Sequence, residues 1–212
     1  SLLAGTYRLN LHEIYGEFGG KFVDRDQVGV EHFQGWIDWA KEHDMKLDFN
    51  STSFSHPKSG NLTLSNPDKA IRDFWIEHTK RCRHIAEAMG KAQGDPCIMN
   101  IWVHDGSKDL TVERHRYRQI LKESLDEILA EDLPNMKPCL EAKLFGIGLE
   151  AYTVGSHDFY AGYCSKNNVI YTLDTGHYEQ TENVADAIPS LLLFVPELML
   201  HVSRPMHWDS DH

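Results

Sequence analysis

The sequence predicts an α/β fold, a (β/α)8 barrel of the TIM type present as an incomplete segment of about six βα units. Three observations carry that reading. Short apolar runs alternate with amphipathic stretches six times, with loops of ordinary length between them. No Gly-rich phosphate turn follows an early run, as a doubly wound dinucleotide-binding sheet would want. Carboxylate and imidazole side chains recur where the runs end, which is where barrel enzymes keep their chemistry. Closure needs eight units, so residues 1–212 are expected to be the central part of a single barrel domain lacking N- and C-terminal portions.

Tyr7 to His12 is the first strand candidate. From Asp26 to Asp44, Val30, Phe33, Trp36, Ile37 and Ala40 recur at helical spacing, so this stretch reads as an amphipathic helix. Lys46 to Asn50 is a second short strand, followed by a polar loop from Ser51 to Ser65. The next helix has the clearest start: Ser65 or Asn66 as cap, Pro67 at its first position, and Asp68 at its positive end. Its inner face is Ala70, Ile71, Phe74, Trp75, His78, Cys82, Ile85, Ala86 and Met89, with Gly90 as the stop.

Cys97 to Val103 is the third strand, entering the loop His104-Asp105-Gly106. A helix from about Val112 to Glu131 sets Ile120, Leu121, Leu125, Ile128 and Leu129 on one side. Cys139 to Phe145 is the fourth strand, ending at the turn Gly146-Ile147-Gly148. A short helix around Ser156 to Ser165 leads to the fifth strand, Val169 to Asp174, whose near-continuous apolar character fits burial on both faces. A helix near Glu182 to Phe194 and a sixth strand from Leu198 to Val202 complete the pattern.

A formal net charge of −11 argues against a nucleic-acid partner, which needs clustered Lys and Arg. No apolar run approaches the roughly 18 residues of a membrane span, and the first residues lack a signal-peptide pattern. Cys82, Cys97, Cys139 and Cys164 form no Cys-x-x-Cys pair, and three of them lie in or beside apolar runs, where a reduced, buried thiol is the plainer reading. The expected location is cytoplasmic.

Glu141 and Lys143 stand two apart in an extended run and so share a face, as a ligand and a cation for a substrate oxygen or as an inward salt bridge. Asp174 and His177 flank a turn that Gly176 allows to bend; a capping aspartate beside a surface histidine is the plainer alternative. His201, in an apolar strand, has a satisfied core histidine as its alternative. Asp209 and Asp211 have the spacing that points two carboxylates together, favourable where a cation neutralises them, although an exposed acidic loop reads the same way. No single pair is specific; the recurrence at successive strand ends is. Carboxylates and imidazoles without thiolates suit Mn, Co, Zn or Mg. Two such ions about 4 Å apart polarise adjacent oxygens, which serves aldose–ketose isomerisation or phosphoester hydrolysis. The lack of a basic stripe weakens the second.

Several stretches then share one likeness: Arg8-Leu9-Asn10-Leu11-His12, Leu47-Asp48-Phe49-Asn50, Phe54-Ser55-His56-Pro57 and Asn100-Ile101-Trp102. Lys143-Leu144-Phe145-Gly146-Ile147-Gly148, Tyr152-Thr153-Val154-Gly155-Ser156, His201-Val202-Ser203-Arg204-Pro205 and Trp208-Asp209-Ser210-Asp211-His212 continue it. In this order they resemble the L-rhamnose isomerase family, from about Tyr7 to the last residue. Members of that family are about twice this length, so the chain resembles their middle half.

The resemblance implies an intramolecular oxidoreductase that interconverts L-rhamnose and L-rhamnulose by a C1–C2 hydride shift, as a homotetramer when full length. It implies two Mn2+ ions, with Zn2+, Co2+ or Mg2+ as alternatives. Glu141, Asp174 and His201 match three ligands of the substrate-anchoring ion, whose fourth ligand is an aspartate on a later strand. His177, Asp209 and Asp211 match the ligands of the catalytic ion. Glu141 and Lys143 would contact sugar oxygens, Lys143 also stabilising charge, while His12 and Trp102 match pocket positions. The partner is a small sugar, with no nucleic acid or membrane. Two readings stand beside it: a metal-dependent hydrolase on the same barrel type, and a non-catalytic fragment that only binds sugar or metal. Residues 1–212 alone are expected to be inactive or to aggregate, because an open segment leaves two sheet edges bare.

Overall fold

Six parallel strands taken in chain order form the main sheet. They belong to a computed structural model that describes residues 7–109, 112–143 and 152–203. The strands are β1 (Arg8–His12), β2 (Lys46–Asn50), β3 (Cys97–Ile101), β4 (Gly106–Ser107), β5 (Met136–Glu141), β6 (Tyr152–Thr153), β7 (Ile170–Asp174) and β8 (Leu198–His201). The helices are α1 (Gln34–Glu42), α2 (Lys69–Gln93), α3 (Arg114–Ile128), α4 (His157–Asn167) and α5 (Val184–Leu191). The sheet order is β1-β2-β3-β5-β7-β8, while β4 and β6 make a small antiparallel pair that the sequence did not signal. An order that never reverses has no switch point, so the doubly wound alternative falls. The arrangement is that of a partial barrel, with six strands of the eight that closure requires.

Register then lines up the strand ends. His12 pairs with Asn50, Asn50 with Asn100, Glu141 with Thr172, and Asp174 with His201. β7 is buried along its whole length, as its apolar run predicted.

The predicted inner face of α2 holds at Phe74, Trp75, His78, Cys82, Ile85, Ala86 and Met89, all buried against the sheet. Ala70 is exposed instead, and Arg83 joins the buried face, donating from Nη2 to the Glu131 carbonyl at 2.7 Å just beyond α3. The start of α2 differs from expectation. Asp68 is the cap, accepting from the Ala70 amide, because Ser65 gives both its amide and its hydroxyl to Asp105. Its end differs too: the helix runs past Gly90 to Gln93, and Gly94, at φ 63°, makes the left-handed cap.

The stretch from Asp26 to Asp44 is α-helical only in its second half, because Gly29 is extended and two 3-10 turns precede α1. The fourth strand begins earlier than predicted and stops at Glu141, so Lys143 lies beyond it rather than along it. The Gly146-Ile147-Gly148 turn, Asp209 and Asp211 lie outside the described residues. No helix among the described residues is long and apolar enough to cross a membrane.

Candidate metal centre

Glu141 closes β5, Asp174 closes β7, and His177 ends the 3-10 turn that follows β7. One ligand atom from each lies within 4.8 Å of the others, and all three side chains are buried. His177 Nδ1 is 3.2 Å from Glu141 Oε1, and its Nε2 is 3.3 Å from Asp174 Oδ2. His201, closing β8, brings Nδ1 to 2.9 Å from Asp174 Oδ2 and 3.6 Å from Glu141 Oε1. Four of the six predicted ligands therefore converge, with His177 in the same cluster as Glu141, Asp174 and His201.

Each carboxylate is held by one oxygen and presents the other. Asp174 Oδ1 accepts from the Gly176 amide at 2.7 Å and from the Ser203 hydroxyl at 2.8 Å, leaving Oδ2 toward the two imidazoles. Asp174 thus caps the 3-10 turn and belongs to the cluster at once, while His177 is buried rather than on the surface. Glu141 Oε2 accepts from the Asn100 carboxamide, leaving Oε1 toward them. The turn is braced from behind: His157 lies 2.7 Å from the His177 carbonyl through Nε2 and 3.0 Å from the Tyr171 hydroxyl through Nδ1. Burial holds the His157 imidazole below its ordinary value, which keeps it neutral in this role.

Charge follows the geometry. Hydrogen bonds to Asp174 and then Glu141 raise His201 to about 10 against the opposing effect of burial. Burial works against ionisation of Asp174, yet the His201 hydrogen bond and the charges of His177 and His201 hold its carboxyl well below the usual range. The cluster is built to stabilise positive charge between two carboxylates. That donor chemistry, two carboxylates and two imidazoles without thiolate, fits a divalent ion of the Mn, Co, Zn or Mg kind.

A cavity of about 870 Å³ opens beside the cluster. Its walls include Glu141, Asp174, His177 and His201, with His12 and Trp102 from other strand ends. The Lys143 ammonium is buried behind Trp102, 4.0 Å from the centre of its ring in a cation–π contact, and Lys143 is not among the residues that line the cavity. His12 Nδ1 lies 3.2 Å from the Thr52 hydroxyl. Sequence reasoning assigned no role to Phe54, His104, Asp105, Asn100 or Ser203. Phe54 packs edge-on against Trp102, and Asp105 folds the loop that carries Ser59, Gly60 and Asn61 into the cavity wall. A polar residue inside an apolar run was the only available signal, and of these residues Asn100, between Met99 and Ile101, carries it.

The profile of the family described as L-rhamnose isomerase (RhaA) matches residues 1–212. The chain belongs to the L-rhamnose isomerase family. It is 72% identical over 212 residues to L-rhamnose isomerase of Bacteroides thetaiotaomicron, covering all of this chain and 51% of that protein. It is 52% identical to the L-rhamnose isomerase of Rhodopirellula baltica, covering all of this chain and 50% of the relative. The chain thus spans about half the length of the curated relatives it matches.

Proposed function

We propose that the whole protein interconverts L-rhamnose and L-rhamnulose by a hydride shift between C1 and C2 of the open-chain sugar. The observation that carries this is the convergence of Glu141, Asp174, His177 and His201 at adjoining strand ends beside a cavity, in a member of the L-rhamnose isomerase family. Two divalent ions, Mn2+ or else Zn2+, Co2+ or Mg2+, would act as Lewis acids and as a template on the sugar oxygens.

Glu141, Asp174 and His201 would hold one ion, and His177 with Asp209 and Asp211 the other. Lys143, desolvated above Trp102, would stabilise negative charge developing on a sugar oxygen as the hydrogen moves. Trp102 and His12 would line the sugar's path, Trp102 offering an apolar face and His12 a hydrogen-bonding edge. The working form would be a cytoplasmic homotetramer. Residues 1–212 alone would be inactive: Leu192, Leu193, Phe194, Leu200 and Val202 are exposed around α5 and β8, an apolar face that needs cover.

The test is rhamnulose formation from L-rhamnose with added Mn2+, comparing the full-length wild type with His177→Asn and Asp209→Asn. Loss in both variants with the fold intact is the expected result. Unchanged turnover in either would remove that residue from the site. A wild type that cleaves a phosphoester and leaves L-rhamnose alone would move the protein to the hydrolase reading.

A further inference from the structure

Asn100 occupies a position that packing alone would give to an apolar residue. It sits in β3 between Met99 and Ile101, both fully buried, and is itself only 5% exposed. A buried carboxamide is costly unless its hydrogen bonds are met. Here they are met across three strands. The side-chain nitrogen donates to Glu141 Oε2 on β5, and the oxygen accepts from the Thr172 hydroxyl on β7 at 2.9 Å and from the Cys139 thiol at 3.5 Å. This orientation of the amide is set by chemistry. Turned over, its oxygen would face a carboxylate oxygen with no proton between them.

We propose that Asn100 is a positioning residue for the divalent-ion site, holding Glu141 so that Oε1 alone faces the ion. The inference rests on the metal-site reading above and adds a residue to it. Glu141 Oε1 is the oxygen that lies 3.2 Å from His177 Nδ1 and 3.6 Å from His201 Nδ1, so the oxygen Asn100 leaves free is the one at the cluster's centre. Asp174 repeats the device with Gly176 and Ser203 on Oδ1. A ligand fixed through its outer oxygen loses less freedom on binding and resists turning to a two-oxygen grip. Thr172 acts one step further out: its hydroxyl proton tells the amide which way to face.

The experiment is calorimetric titration of Mn2+ into full-length protein, stripped of metal, with melting curves recorded for every variant. The set is wild type, Glu141→Gln, Asn100→Ala, Thr172→Val and Thr172→Ser. With Glu141→Gln losing one of the two Mn2+ equivalents, that is, the ion Glu141 holds, Asn100→Ala should bind that same ion about 10- to 100-fold more weakly. Thr172→Val should fall between it and wild type, and Thr172→Ser should match wild type. Should Asn100→Ala fail to fold, the Thr172→Val and Thr172→Ser pair decides, because it leaves Asn100 in place. Asn100→Ala within twofold of wild type, or Val and Ser at 172 binding alike, overturns the positioning role while leaving the ion site standing. Wild type and Glu141→Gln behaving alike overturns the ion site and this inference with it.

Discussion

Asp174 and His201 are register partners on adjacent parallel strands, and their side chains meet at 2.9 Å between Oδ2 and Nδ1. Two residues 27 positions apart in the sequence are thus joined by a single rung of the sheet. A protonated His201 supplies the positive charge that lets the Asp174 and Glu141 carboxylates stand close together. The same geometry suits a cation in that place, which would compete with the proton.

Replacing Asp174 by Asn should therefore bring the His201 titration down from about 10 toward its ordinary 6.5, read by NMR of the imidazole. The sign for stability follows. A pKa raised on folding contributes stability that is complete below the unfolded value of 6.5 and is lost as pH rises through about 10. The Tm gap between wild type and Asp174→Asn should shrink from pH 7 to pH 10.5. A gap that stays constant would show that the pair does not set His201's charge.

Glu13 carries the opposite sign. Burial raises its carboxyl to about 7, with the Arg25 guanidinium 3.6 Å away offsetting only part of that cost, and Oε2 accepts no hydrogen bond. The unfolded chain ionises near 4.5, so the cost to the folded state grows as pH rises from there and is complete above about 7. Glu13→Gln should leave stability nearly unchanged at about pH 4 and raise it by about 1–3 kcal/mol at pH 8. Chemical denaturation at the two pH values measures this.

Asp105 is fully buried and accepts four bonds from one loop: the Thr63 amide and hydroxyl at 2.8 and 2.5 Å, and those of Ser65 at 2.8 and 2.5 Å. Asp105→Ala strands four donors in the interior and should cost about 3–5 kcal/mol. Limited proteolysis should then cut between Phe54 and Asn66 faster than in the wild type. Resistance equal to wild type would mean that the loop is held by other contacts.

Much of the fold was legible because strands such as Lys46–Asn50 are set off by turns on both sides and fill the residues their pattern assigns. The convergence of donors was legible as a recurrence: Glu141, Asp174 and His201 each close a strand. What escaped was non-local. Ser65 reads as a cap until Asp105, 40 positions on, claims both its donors. The Glu141 and Lys143 spacing reads as one face of a strand, but β5 stops at Glu141 and Lys143 turns to Trp102 instead. Asn100 has no periodic signal at all, since its partner Thr172 is two strands away and only register brings them together.

Gly90 shows how one residue type can carry two meanings. In sequence it reads as a helix stop, yet Gly94 does that work at φ 63° and Gly90 lies within α2. A Cβ at Gly90 would stand 1.7 Å from the Asn135 carbonyl oxygen and 2.9 Å from the Cys97 amide nitrogen, both backbone atoms. Those two groups are hydrogen-bonded to each other at 3.0 Å, tying the start of β3 to the residue before β5. Asn135 cannot yield easily, because the Glu87 carboxylate grips its amide at 2.7 Å and its side chain at 2.6 Å. An alanine inside a helix normally stabilises by up to about 1 kcal/mol over glycine. Gly90→Ala should instead cost about 3 kcal/mol, because helix and sheet must separate. Gly94→Ala meets nothing within 4 Å and should cost about 1–2 kcal/mol, from its backbone conformation alone. Urea midpoints of the two variants measure the difference, and a Gly90→Ala protein as stable as wild type would mean that α2 does not rest on that backbone bond.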